Sequence, residues 1–370
     1  MGFTSGERDR RWERARELMA DRGWEAMLVS GEDGLCGGNL RYLADFRPVK
    51  GRSLLLLPLT GEPVLWVEHK VHEQAAKKLS FVADSRFTLD CGTAAADELA
   101  ERGLGRSTVA SEQLALVPAS WYVTWTTRFP ELRLADASLE LAGLRRIKSA
   151  EEIEVCRRSA EIADGSYEHL LPKLREGISE FEIDAELEYY CRLQGCERLF
   201  NVYATSSLAE LPWAASARTL ERGRAALLEI SPQLDGYWTQ LVRVVSIGEP
   251  TPTLAEMHRV TMAAMDEALA TLEPGMVLGE PLGKMESMIE DAGFQVMATD
   301  TGHDLGCTLG ESVTWLTRET AFAAEPGQVF EIHPVVLHPD GGCLLIGDTY
   351  LITETGVERL NRSPRELAVV

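Results

Sequence analysis

Two glycine-stopped helical units recur in the second part of this chain at one constant spacing. Leu174, Gly177 and Gly195 return as Leu272, Gly275 and Gly293, each pair 98 residues apart. Each unit reads as a helix, a Gly turn, a second helix, a Gly stop and a strand. Glycine ends many helices because it adopts the left-handed backbone without strain, so one such stop carries little weight. Three matched positions with similar flanks point to a duplicated unit, and a duplication places a site between two halves.

The chain ahead of that repeat has a different pattern. Residues 8–22 form an amphipathic stripe ended by Gly23. Ala26–Ser30, Arg52–Pro58 and Pro63–Glu68 are short apolar runs separated by turn residues, as buried strands are. A helix-like stretch follows at Val71–Leu79, and strand and helix alternate again before Leu132. At Leu141–Ser149 the composition shifts, and a long helical pattern runs from Ala150 to about Leu174. Its stripe, Ile153, Cys156, Ala160, Ala163 and Tyr167, steps by three and four. The reading is an α/β (α+β) protein of two domains, residues 1–142 and 143–370. With 370 residues, two domains is also what length favours.

Charge removes several function classes. Fifty-eight acids against 37 Lys and Arg leave a net charge of −21. Such a surface repels phosphate backbones and anionic bilayers, so neither nucleic acid nor membrane is the expected partner. No run of eighteen apolar residues exists. Met1 to Asp21 is charged throughout and lacks a signal-peptide core. The seven cysteines are irregularly spaced without a CxxC pair, which fits reduced thiols and a cytoplasmic location.

Five stretches carry a resemblance. They are Arg145–Ile153, Glu229–Gly248, Gly302-His303-Asp304-Leu305-Gly306, Pro326–Pro334 and Gly347-Asp348-Thr349 with Leu351–Gly356 after it. In order and spacing they resemble the creatinase / aminopeptidase P / prolidase family, and residues 1–140 resemble its smaller N-terminal domain more loosely. The resemblance implies a C-terminal pita-bread domain, with helices around a curved antiparallel sheet. It also implies a homodimer, in which Phe46 and Arg47 sit where the family's N-terminal domain reaches a neighbour's pocket.

The resemblance to a peptidase stops at the metal ligands. Metallopeptidase members hold two divalent cations with two Asp, one His and two Glu. At those positions this chain has Glu229, Gln240, His303, His333 and Gly347. Both bridging carboxylates are replaced, one by a neutral amide and one by a bare glycine. Carboxylates are what offset paired cations, so the expectation is no dinuclear metal and no peptidase activity that depends on it. The substrate-contacting His that follows a Pro is replaced too, by Trp213 in Leu211-Pro212-Trp213. The second substrate His aligns with Gly310, beside Glu311.

What remains suits proton transfer. Imidazole titrates near neutrality and a neighbouring carboxylate tunes it. His303, His333 and Glu229 are therefore the candidate catalytic residues. Trp213, Gln240, Tyr237, Thr239 and Arg47 are the candidate substrate-binding ones. Trp213 is a stacking wall for a flat aromatic or cationic substrate, while Trp238 and Trp315 read as core packing. Arg243 reads as a brace for the hairpin. Glu331 is read as facing away from His333. The other five histidines, His69, His72, His169, His258 and His338, read as core or surface residues.

The leading expectation is a metal-independent enzyme acting on a small nitrogenous substrate, with C–N bond hydrolysis as the default because creatinase is the family precedent. Three alternatives stand beside it. Glu229, His303 and His333 could form a two-His-one-carboxylate set for a single Fe or Zn ion. The chain could be a recruited biosynthetic enzyme, running a lyase step or a Pictet–Spengler-type iminium condensation on an indole amine. It could also be a non-catalytic binding module.

Overall fold

The computed structural model describes residues 2–32, 37–112, 114–205, 211–297, 301–311, 315–338 and 342–370. The chain divides into two compact units between Arg145 and Arg146. Each unit mixes helix and sheet, as the sequence predicts.

In the first unit, the Thr4 hydroxyl caps helix α1 (Ser5–Arg22) by accepting the Glu7 N–H at 3.2 Å. Gly23 ends the helix in the left-handed region at φ 67°. Next come β1 (Ala26–Glu32), α2 (Gly38–Ala44), β2 (Arg52–Pro58), β3 (Val64–Val67), α3 (Lys70–Leu79), β4 (Asp84–Phe87), α4 (Cys91–Glu101), β5 (Thr108–Ser111), α5 (Ala119–Arg128), β6 (Arg133–Asp136) and α6 (Ser138–Arg146). Their sheet runs β4-β3-β2-β1-β5-β6. The β1–β2 and β2–β3 pairs are antiparallel and the others parallel. Leu54 and Leu56 of β2 project into one core with Trp66, Leu99, Trp121 and Trp125. The Trp125 indole N–H finds its acceptor at Gly92 O, 2.8 Å away.

The second unit is built of two halves. Helix α7 (Ala150–Leu170) starts at a capping box formed by Ser149 and Glu152. Helix α8 (Glu180–Leu193) starts at another, formed by Ser179 and Glu182. Strands β7 (Arg198–Ala204), β8 (Ala225–Leu234), β9 (Tyr237–Trp238) and β10 (Leu241–Ser246) complete the first half. The second half opens with α9 (Pro252–Ala270) and α10 (Gly279–Asp291). It continues through β11 (Gln295–Val296), β12 (Gly302–Asp304), β13 (Val329–Ile332), β14 (Val335–Leu337), β15 (Cys343–Leu345), β16 (Gly347–Thr353), β17 (Gly356–Arg359) and β18 (Ala368–Val369).

The 98-residue spacing is conformational as well as textual. Gly177 and Gly275 sit at φ 85° and 89°, and Gly195 and Gly293 at φ 91° and 90°. The Gly177 N–H donates to Leu220 O at 2.9 Å, and the Leu220 N–H returns to Ile178 O at 2.9 Å. In the other half Gly275 donates to Ala324 O, and Ala324 returns to Met276 O, both at 2.8 Å.

Among the described residues, nine strands form one sheet whose main path is β12-β13-β16-β10-β8-β7. Both of its faces are covered, so β8 and β10 are buried along their whole length. Alternation divides β8 cleanly. Ala226, Leu228 and Ile230 face the core under α7 and α8, while Ala225 and Leu227 face the core that includes α9 and α10. Glu229 belongs to the second set, and that places its carboxyl on the face where the histidines lie. Tyr167, Ala160 and Ala163 of the α7 stripe are buried as predicted, and Val155 and Ser159 complete it where Ile153 is only half-buried.

Arg243 acts as the brace the sequence predicts. Its guanidinium is buried and donates to Gly347 O at 2.9 Å, Asp348 Oδ1 at 2.7 Å and Pro364 O at 2.9 Å. It thereby ties β10 to β16 and to the C-terminal segment. Among the described residues, no helix is long and apolar enough to cross a membrane.

Candidate active site

Five sequence-predicted residues meet at one hollow in the second unit. Glu229 comes from β8, Gln240 from the link between β9 and β10, His303 from β12, and His333 from just past β13. Trp213 is held by a two-hydrogen-bond bridge to Tyr203, its N–H to O distances 2.9 and 2.8 Å. The hollow is about 400 Å³, and its other walls are mostly apolar, Phe200, Val202, Leu211, Met297, Leu309 and Leu345 among them. The first half supplies the carboxyl and the carboxamide, and the second half supplies both imidazoles.

The two imidazole rings lie 5.2 Å apart, inclined at 62°. The His303 ring also meets Trp315 edge-on, at 5.5 Å and 83°. His303 Nδ1 lies 3.2 Å from Asp304 O, an arrangement that places the proton on Nδ1. His333 is buried, and that burial pushes its pKa down to about 4, so the ring is neutral at physiological pH.

The floor is shaped by a missing side chain. A Cβ on Gly347 would lie 2.3 Å from Glu331 Oε1, 2.6 Å from His333 Cβ and 2.9 Å from Ile332 O. Glu331 therefore does not face away from His333, contrary to the sequence expectation. Residues two apart on an extended strand share a face, so Glu331, His333, Gly347 and Thr349 stand on one side of the β13–β16 pair. The Glu331 carboxyl is fully buried. Desolvation, helped by the charges of Asp348 and Glu229, holds its pKa well above the usual carboxylate range. Thr349 Oγ1 lies 3.3 Å from Glu331 Oε2 and also donates to Gln240 O at 2.8 Å. Glu331 Oε1 has no hydrogen-bond partner.

Other predicted site residues lie elsewhere. The Tyr237 hydroxyl is buried and donates to Glu152 on α7. The Thr239 hydroxyl is buried and donates to Ser159 Oγ at 2.9 Å. Both side chains turn toward the helix, because residues two apart on extended backbone share a face and Gln240, one position on, faces the hollow. Trp238 packs in the core, as expected. Trp315, also read as core, is a wall of the hollow and 54% exposed. Arg47 is half-buried in the first unit, in the segment after α2. The Glu311 carboxylate accepts the Cys307 N–H at 2.7 Å and lies over Gly306, where a Cβ would be 2.0 Å from Oε1. Phe200 and Val202 escaped the sequence reading, although their period-two spacing on β7 was the available signal.

Among the described residues, no three or more His, Cys, Asp and Glu side chains are grouped closely enough to hold a metal ion. At the two positions where the resemblance implies bridging carboxylates, Gln240 offers a neutral amide. Gly347 offers nothing, and the volume beside it is taken by Glu331.

Residues 154–354 match metallopeptidase family M24, and residues 11–147 match the creatinase/prolidase N-terminal domain. The chain therefore belongs to metallopeptidase family M24. An uncharacterized peptidase of Bacillus subtilis (strain 168) is 28% identical over 363 residues, covering 97% of this chain and 99% of that protein. An Xaa-Pro dipeptidase of Pyrococcus horikoshii is 27% identical over 358 residues, covering 95% of this chain and 96% of that protein. In structure, the X-Pro aminopeptidase from Thermotoga maritima MSB8 superposes with a TM-score of 0.86 at 23% identity, covering 97% of this chain and 99% of that one. The prolidase from Pyrococcus horikoshii OT3 gives a TM-score of 0.84 at 21% identity, covering 97% and 99%. The fold is the two-domain pita-bread fold of these proteins.

Proposed function

We propose that this chain is a metal-independent enzyme that hydrolyses a C–N bond in a small nitrogenous substrate by acid/base catalysis. The observation that carries the reading is the pair of imidazoles 5.2 Å apart in a hollow shared with Glu229. Two further observations support it: the neutral amide of Gln240, and the filled space beside Gly347. The resemblance to Xaa-Pro dipeptidases and aminopeptidases supports hydrolysis of a C–N bond as the reaction class.

In this mechanism His333, kept unprotonated by burial, takes a proton from water as the resulting hydroxide adds to the carbon of the C–N bond. Gln240 holds the substrate's polar groups. His303, entering the step protonated, gives a proton to the leaving nitrogen as the C–N bond breaks, leaving an amine and a carbonyl product; the proton that His333 took from water then reloads His303, with Glu229 as the carboxylate that orients the pair. The exposed faces of Trp213 and Trp315 favour one second reading, bond-forming or lyase chemistry on an indole amine. The cytoplasmic location and the homodimer, with Arg47 at a neighbour's hollow, are proposed on family resemblance alone.

The test is turnover on a panel of amide, amidine, guanidine and Xaa-Pro substrates, creatine included. His333→Ala and His303→Ala are each expected to lower kcat by roughly 10²- to 10⁴-fold with unchanged circular dichroism. Full activity in both variants would place the chemistry elsewhere.

A further inference from the structure

The described wall of the hollow offers hydrogen-bond acceptors but no fixed cation. Glu229 is the one acid that lines it, and neither Lys nor Arg does. Gln240 is only 1% exposed, and its Oε1 has no hydrogen-bond partner. A buried carbonyl oxygen in that state is unfavourable until a donor arrives. At the rim, Trp213 is 79% exposed and Trp315 is 54% exposed. Indole faces stack on flat rings and attract cations. A net charge of −21 raises the local concentration of cations and repels anions.

Resting on the acid/base reading above, we infer that the hollow takes a protonated arylalkyl amine that carries no carboxylate. Its ammonium N–H groups face Glu229 and Gln240 Oε1, and its ring covers Trp213 and Trp315. A dipeptide fits this wall poorly. Its free carboxylate would meet either Glu229 or apolar side chains, with no described cation to pair it.

The test is titration calorimetry on the full-length protein with three probes that share one ring: 2-phenylethylamine, phenylalanine and 2-phenylethanol. The amine is expected to bind at least about tenfold more tightly than either of the others. Glu229→Gln should erase its preference over the alcohol. Trp213→Ala should weaken amine and alcohol alike by several-fold, with near-ultraviolet circular dichroism showing that the variants are folded. Phenylalanine binding as tightly as the amine would overturn the inference. If Arg47→Ala then abolished that binding, the missing cation would be Arg47. Failure of all three probes to bind at millimolar concentration would overturn it as well, as would a Glu229→Gln variant that keeps the preference. Failure of the acid/base reading registers differently: a fully active His333→Ala enzyme leaves the order of the three probes untouched.

Discussion

The carboxyl of Glu331 stands where a side chain on Gly347 would begin. Oε1 is 2.3 Å from that Cβ position, inside the distance at which atoms overlap. The glycine and the buried acid are thus one packing unit, and neither is free to change alone.

Gly347→Ala should therefore destabilise the protein by about 1–3 kcal/mol, as overpacking does. The expected readout is a lower urea midpoint. Glu331→Ala in the same chain should recover only part of the loss, because His333 Cβ and Ile332 O still crowd the site at 2.6 and 2.9 Å. An unchanged midpoint for Gly347→Ala would mean the floor is looser than described.

Dialysis against EDTA should leave turnover within about twofold of the untreated enzyme, and added Mn, Co, Zn or Fe should not raise it. The grounds are the residues at positions 240 and 347, which offer no carboxylate to bridge two cations. Stoichiometric metal whose removal abolishes turnover would instead support the two-His-one-carboxylate alternative.

Glu112 in the first unit gives a stability signal with a definite sign. Burial raises its pKa to about 7, against hydrogen bonding from Asn39 Nδ2 at 2.6 Å and the charge of Arg145. The folded state therefore binds this proton more tightly than the unfolded chain does. The group costs nothing below the unfolded pKa of 4.5. Its cost grows as pH rises from there to about 7, and it levels off at about 3 kcal/mol. Glu112→Gln should shrink the fall in urea midpoint between pH 5 and pH 8 relative to wild type. An equal fall in both proteins would rule out Glu112 as its source.

Arg243→Met should cost about 3 kcal/mol, because it strips the fully buried Asp348 of its 2.7 Å partner. Arg359 at 3.6 Å and Arg365 at 3.9 Å still face that carboxylate and limit the loss. Adding Asp348→Asn should restore part of the stability. If the double variant were no more stable than the single one, the charge pair would not be the source of the effect.

Much of the fold was readable because it rests on short-range rules. Apolar runs with turn residues between them place β2 at Arg52–Pro58, as predicted, and the paired glycines mark the helix stops of both halves. The hollow was readable where the family resemblance aligned a residue with a ligand position, as it did for Glu229 and His333, which lie in and just past strands of the main sheet. Tyr237 and Thr239 were misplaced because they share the parity opposite to Gln240, which lines the hollow, and so turn toward α7. Trp315 differs from Trp238 only in what surrounds it: one meets an imidazole edge at the rim and the other is sealed in the core. Glu331 was misplaced by counting alternation from the wrong parity, and residue pairing across β13 and β16 settles its side.

The doubled architecture has an evolutionary consequence. Its paired glycine turns are not among the residues that line the hollow, so these turns do not depend on which chemistry the seam performs. A lineage can exchange carboxylate for amide or glycine at a handful of seam positions and inherit the fold intact. New reactions then arise by re-lining a junction, with no need to invent a fold.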